Sequence, residues 1–318
     1  MNKTPFYSYL HPKINPLQTV LDIQNLTRHF GKIHAVDGIS FSVEKGSVYG
    51  LLGPNGSGKT TTLGIVLGVI RADSGAYSWY GEAPSPQVLR RIGAVLEQPN
   101  FFPYLSGDDN LKIVADIKGV PYTRVEEVLT LTGLSGRGVD AFGKYSLGMK
   151  QRLAIAAAMI SEPEVLVLDE PTNGLDPQGI ADIRALISSI AQNGTTILLA
   201  SHLLDEVEKV CSHLGILKNG KLLYSGPVEQ MLNQGQSEYL ELLAEDMKQL
   251  FAVIQTYPGV KEVKKIEGKM AVFFEEKPDV KSLNQFLIGE GVVITHLALK
   301  KRSLESQFLD LIKNKENS

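Results

Sequence analysis

A chain of 318 residues, 43% apolar and 21% charged, has the proportions of an ordinary soluble globular protein and room for about two domains. Its net charge of −3 argues against a protein that coats DNA, which would be basic. The single cysteine, Cys211, excludes an intrachain disulfide and fits a reducing compartment. Residues 1–20 lack a continuous apolar segment and a small-residue cleavage site, so they do not read as a secretion signal. The longest apolar run, Leu153 to Ile160, has eight residues, far below the ~18 that cross a bilayer. These features predict a cytosolic protein that does not enter the bilayer, and they leave room for docking to a membrane protein.

Residues 1–19, with Pro5, Pro12 and Pro16, read as an irregular extension. LDIQNLTRHF, AVDGISFSV and SVYGLLG then read as strands, and TTLGIVLGVI as a helix. A helix-rich stretch follows over roughly 106–160. VLVLD (165–169) into a helix from Pro177, and TILLA (196–200) into a helix from Leu203, are strand–loop–helix units. Strands apolar on both faces and separated by helices predict a parallel sheet covered on both sides. A polar stretch, Gln234 to Ser237, reads as a linker. Beyond it come a strand (Tyr239–Ala244), a helix (Asp246–Thr256) and two strands (Val260–Ile266, Met270–Phe274) joined at Glu267-Gly268. A helix (Lys281–Ile288), a strand (Val292–Leu299) and a last helix (Leu304–Ile312) complete the chain. The order βαββαβ is the ferredoxin-like arrangement.

GPNGSGKT, residues 53–60, fits G-x-x-x-x-G-K-[ST] between a strand and a helix. The expected phosphate-binding residues are Gly53, Pro54, Asn55, Gly56, Ser57, Gly58, Lys59, Thr60 and Thr61. Gly53, Gly56 and Gly58 let the backbone curl so that successive N–H groups point at phosphate oxygens; Pro54 alone has none to offer. The following helix adds its positive end. Lys59 supplies charge for the β- and γ-phosphates, and the Thr60 hydroxyl is placed for Mg²⁺. VLVLDE ends in two carboxylates: Asp169 is expected to hold Mg²⁺, and Glu170 to act as general base toward the attacking water.

Six ordered motifs make residues 20–233 resemble the nucleotide-binding subunit of an ABC transporter. Besides GPNGSGKT and VLVLDE, Gln98 in VLEQPNFF resembles the Q-loop glutamine, and YSLGMKQR (145–152) resembles the signature, retaining Ser146 and Gly148. Asp176 in PTNGLDP resembles the D-loop aspartate, and His202 in LLASHLLDE the switch histidine. Phe30 stands where the family places an aromatic that stacks on adenine, although an aromatic there also fits a sheet core. The resemblance implies ATP and Mg²⁺ as cofactors, with Thr60, Gln98 and Asp169 around the metal. Glu170, His202 and Gln98 are the implied catalytic groups. It also implies a dimer, with itself or a second cassette, in which Ser146 and the N–H groups near Gly148 face the partner's γ-phosphate and Asp176 lies at the nucleotide.

The signature departs from its usual form at Leu147 and Met149, where glycine and glutamine are commoner. YSLGMKQR, together with SLESQFLDL (303–311), resembles bacterial exporters of the bacitracin-resistance, multidrug and gliding-motility branch. The implied fold is an α/β P-loop cassette with a helical subdomain over about 99–160, followed by a small α+β ferredoxin-like domain over 237–318. The implied function is ATP hydrolysis that drives export through a separate multi-spanning permease, on the inner face of the cell membrane and without nucleic acid. Phe101, Phe102, Tyr104 and Leu105 are candidate permease contacts or, equally, core. A soluble ABC ATPase acting on a macromolecular complex is the competing reading. A single phosphate loop, without coiled coils or cysteine pairs, weighs against it.

Overall fold

The computed structural model describes residues 18–97, 100–233, 238–266, 268–276 and 279–301. They fall into two compact units. One comprises the described residues through His202 together with His213–Ser225; the other comprises Leu203–Ser212 and the described residues from Gly226 onward.

In the first unit, β1 (Thr19–Phe30) and β2 (Ile33–Glu44) form an antiparallel hairpin, and β3 (Val48–Leu52) leads into α1 (Lys59–Val66). Then come β4 (Ser74–Trp79), α2 (Pro86–Leu89), β5 (Ile92–Val95), α3 (Gly107–Lys118), α4 (Thr123–Leu131) and α5 (Leu147–Met159). Next are β6 (Val165–Asp169), α6 (Pro177–Gln192) and β7 (Thr196–Ser201). After α7 (Leu204–Val210), which belongs to the second unit, come β8 (His213–Lys218) and β9 (Lys221–Pro227). The main sheet runs β5-β6-β7-β3-β8-β9, and the pairs from β5 to β8 are parallel, as expected. Every residue of β3, β6 and β7 is buried, as a sheet covered on both faces demands.

β1 and β2 lie outside that parallel sheet. With β4 they form a separate antiparallel sheet of order β2-β1-β4. A two-residue connection, Gly31-Lys32, is too short for a crossover, so these strands must pair with each other. α1 also starts earlier and stops sooner than its apolar run suggests. Val69 and Ile70 both donate their N–H groups to Gly64 O, turning the chain after Val66. The buried Trp79 indole N–H donates to Val66 O at 2.8 Å and fixes that helix end to β4. The helices α3, α4 and α5 pack on one another.

The second unit holds α7, α8 (Val228–Asn233), β10 (Glu238–Ala244), α9 (Met247–Ile254), β11 (Val260–Ile266), β12 (Lys269–Phe274), α10 (Val280–Gly289) and β13 (Ile294–Lys301). Its sheet order, β11-β12-β10-β13, is antiparallel throughout, which is the ferredoxin-like topology. Leu240, Leu242, Leu250, Val272, Leu283 and Leu287 form its core. Cys211 is buried just past the end of α7, rather than inside that helix, and burial pushes its thiol well above the usual range. The expected N-terminal extension, apart from residues 18 and 19, the 234–237 linker and the Leu304–Ile312 helix lie outside the described residues.

Candidate active site

Strand register assembles the site. Leu52 pairs with Ser201 and Asp169 with Ala200, so β3, β6 and β7 end side by side and deliver Gly53, Glu170 and His202 to one edge of the sheet. This is where open α/β sheets bind ligands.

The phosphate loop is held from beneath. Gly53 N–H donates to Ser201 O at 3.3 Å, and Gly220 N–H donates to Ser57 O at 3.1 Å. Pro54, Asn55 and Gly56 are exposed along the outer part of the loop, which Ser57 N–H closes by donating to Pro54 O at 3.1 Å. Asn55 and the left-handed Gly56, φ +78, are the middle residues of that turn, so Asn55 presents its backbone at the loop surface. Gly58 has φ +107, and a Cβ there would meet Ala35 O at 2.2 Å, so both the backbone conformation and the close approach require glycine. No side chain caps α1, whose first N–H groups face the loop as an anion site. Lys59 is buried and bends back over the loop, its ammonium donating to Gly53 O at 2.7 Å and Pro54 O at 3.3 Å. The same ammonium lies 3.1 Å from Glu170 Oε1. Thr60 is exposed and Thr61 half-buried, while Ser57 Oγ is buried with no hydrogen-bond partner among the described residues.

Glu170 is left-handed, φ +48, an uncommon and strained conformation for a residue with a side chain. Its N–H donates to Ala200 O and its carbonyl accepts from Asn173 N–H, which holds the turn. Its Oε2 meets His202 Nδ1 at 2.6 Å and accepts His202 N–H at 3.3 Å. Lys59, Glu170 and His202 are therefore one linked group. Beside it, burial raises the Asp169 pKa, a Thr60 hydroxyl hydrogen bond opposes the rise, and the neighbouring Glu170 charge adds to it. Asp169 Oδ1 is buried and unpartnered among the described residues. A hard-oxygen pair, one hydroxyl and one carboxylate with an open lone pair, fits Mg²⁺. Gln98 lies outside the described residues.

A second grouping surrounds the signature. Ser146 caps α5, its Oγ accepting Met149 N–H at 3.3 Å, and Asp176 caps α6, accepting Gly179 N–H at 2.7 Å. Residues 146–149, Gly148 among them, and 174–176 line one cleft of about 530 Å³. Leu147 lies over Gly174, whose added Cβ would be 3.3 Å from Leu147 Cδ2. Arg152 on α5 pairs with Asp182 on α6 at 2.5 Å and lines the same cleft. Nothing in the local sequence marks that pair, since its members stand thirty residues apart.

Phe30 is 46% exposed, with the Arg28 guanidinium 4.6 Å from its ring centroid, so it is not core. Phe102 and Tyr104 are exposed and stacked obliquely, whereas Phe101 packs edge-on against the buried Phe142. Leu105 is half-buried.

A model of the ABC transporter family matches residues 36–173. Bacitracin transport ATP-binding protein BcrA of Bacillus licheniformis is 36% identical over 301 residues, covering 93% of this chain and 98% of its own. The chain belongs to the ABC transporter family. It is an ABC ATPase, and its cassette binds nucleotide. Lantibiotic transport ATP-binding protein SrtF of Streptococcus pyogenes is 40% identical over 204 residues, 64% of this ABC chain and 89% of its own. An ATP-binding cassette of an ABC transporter solved in its ADP conformation is 27% identical with a TM-score of 0.60, covering 67% of this chain and 92% of its own. No helix among the described residues is long and apolar enough to cross a membrane.

Proposed function

We propose that this chain is the energy-supplying subunit of an exporter that clears a peptide antibiotic from the cell. It would work on the inner face of the membrane through a separate multi-spanning permease. The observation that carries this reading is the near end-to-end match to a bacitracin transport subunit, which extends beyond the cassette into the C-terminal unit. The exposed Phe102 and Tyr104 suit a permease contact better than the partly buried Phe101 and Leu105.

In the hydrolytic step, water attacks the γ-phosphorus, the bond from that phosphorus to the bridging oxygen breaks, and ADP and phosphate leave. Glu170 takes the water's proton. Lys59 turns from its two loop carbonyls and from Glu170 to the β- and γ-phosphates, which frees the base as nucleotide enters. The loop from Gly53 through Asn55 to Thr61 wraps the phosphates with its backbone N–H groups. His202, already bonded to Glu170, orients that carboxylate and senses the γ-phosphate. Thr60 and Asp169 would hold Mg²⁺, which when bound supplies charge neutralisation at the phosphate oxygens. Phe30 supplies a ring face for adenine. Two cassettes close head-to-tail, so that Ser146, the Gly148 N–H region and Asp176 of one approach the nucleotide of the other.

Isolation of the tagged chain from membranes is expected to yield a stoichiometric multi-spanning partner. Loss of the chain is expected to sensitise cells to bacitracin-like peptides. Recovery without a membrane partner, or unchanged sensitivity, overturns the proposal.

A further inference from the structure

Three ligand-bearing side chains converge near the closed end of the β1–β2 hairpin, outside every motif of the nucleotide site. His29 and His34 are direct cross-strand partners, with ring centroids 4.1 Å apart. One nitrogen of each and a carboxylate oxygen of Asp37 lie within 4.8 Å of one another. His29 Nε2 is buried with no hydrogen-bond partner among the described residues. An imidazole nitrogen hidden from water and left unpaired is costly, so this position favours an occupant.

The rest of His29 is already braced. Its backbone N–H donates to Asp73 Oδ2 at 2.6 Å, and the same oxygen lies 3.9 Å from His29 Nδ1. Arg28 in turn holds Asp73 at 2.7 Å. At 3.9 Å that carboxylate does not hydrogen-bond the ring; it fixes the His29 backbone and leaves Nε2 open.

We propose that His29, His34 and Asp37 bind a divalent cation of the zinc class. Two imidazoles and a carboxylate suit zinc, whereas Mg²⁺ and Ca²⁺ take oxygen ligands. A tetrahedral ion spaces its ligands about 3.3 Å apart, and the exposed His34 ring can rotate inward to reach that spacing. Lys221, 3.6 Å from Asp37 Oδ2, is 68% exposed and free to swing aside. Water fills the fourth position. Asp37 N–H donates to Gly220 O and Gly220 N–H to Ser57 O, so the ion sits two backbone hydrogen bonds from the phosphate loop. Its effect is to clamp the hairpin that carries Phe30. Only that consequence rests on the nucleotide reading; the binding itself does not.

The test is a zinc titration of the full, metal-stripped chain by competition with a chromophoric chelator, without nucleotide or Mg²⁺. Wild type is expected to bind one zinc at micromolar or lower concentration, with a rise in melting temperature. His34→Ala and Asp37→Asn are each expected to weaken binding roughly tenfold or more and to abolish the thermal shift. His202→Ala, which would remove zinc captured beside Glu170, is expected to leave both unchanged. Circular dichroism confirms that each variant is folded. Binding that survives His34→Ala, or that disappears in His202→Ala, overturns the site, as does no binding below about 100 μM. The nucleotide reading stands or falls separately, because no nucleotide enters the assay.

Discussion

Lys59 and Glu170 neutralise one another in the free protein, so their substitutions are expected to fail in different ways. Lys59→Ala removes the charge that meets the β- and γ-phosphates. Isothermal titration should show nucleotide affinity collapsing, with turnover at background. Glu170→Gln keeps the shape and the His202 contact but accepts no proton. Binding should persist while the rate falls roughly 10²-fold or more, and wild-type turnover would remove Glu170 from the role of base. Asp169 carries the opposite kind of signal. Its folded pKa is raised above 3.8, chiefly by burial, so the folded state holds this proton more tightly than the unfolded chain does. Stability therefore falls as pH climbs from the ordinary aspartate range through the raised value, and stays lower above it. Asp169→Asn should melt a few degrees higher than wild type at pH 7 without metal or nucleotide, with the gap closing in acid. Calorimetry across pH checks this; a gap independent of pH would place the effect elsewhere.

At the level of elements, the starts of α5 and α6 are keyed to each other through Leu147 and Gly174. Gly174 is left-handed at φ +78, and a Cβ added there would stand 3.3 Å from the leucine's Cδ2. Gly174→Ala should cost about 1–2 kcal/mol from backbone conformation alone, plus a steric part. Leu147→Gly in the same chain should restore the steric part only. Urea denaturation of the single and double variants separates the two, and failure of any rescue would show that the contact does not matter. The unusual signature leucine, 40% exposed, thus borders a glycine of another loop. That explains why the sequence alone left its role open. GPNGSGKT and VLVLDE were legible because phosphate and metal chemistry need neighbouring residues in fixed order. Arg152–Asp182 and the Arg28–Asp73–His29 link were not, since folding brings them together from 30 and about 45 positions apart. β4 and β5 escaped notice because SGAYSW and IGAV are short and glycine-bearing, with no alternation to mark them.

For the whole molecule, the ferredoxin-like unit has an apolar core of its own. That core runs from Leu240 to Leu297, while one core of the first unit draws on residues from Val20 to Leu222. Removing residues 237–318 should leave ATP affinity within a few fold, while transport falls if that domain supports assembly; loss of binding in a folded truncation would refute separability. The composite site makes a sharper prediction. Glu170→Gln should dimerise in Mg·ATP and return to monomer without it, by light scattering. Adding Ser146→Asp keeps an oxygen to cap α5 but sets a negative charge against the partner's γ-phosphate, so the dimer should not form. ATPase activity per chain that stays constant on dilution, with only monomers present, would rule the composite site out. Cys211 offers an independent handle. As the chain's one thiol, buried and held protonated, it should ignore maleimide in the native state and react only when its surroundings open. The natural protein is thus a ready-made silent background for labelling. A cysteine placed anywhere on the surface will report its own position, and the slow reaction of Cys211 will clock unfolding around it.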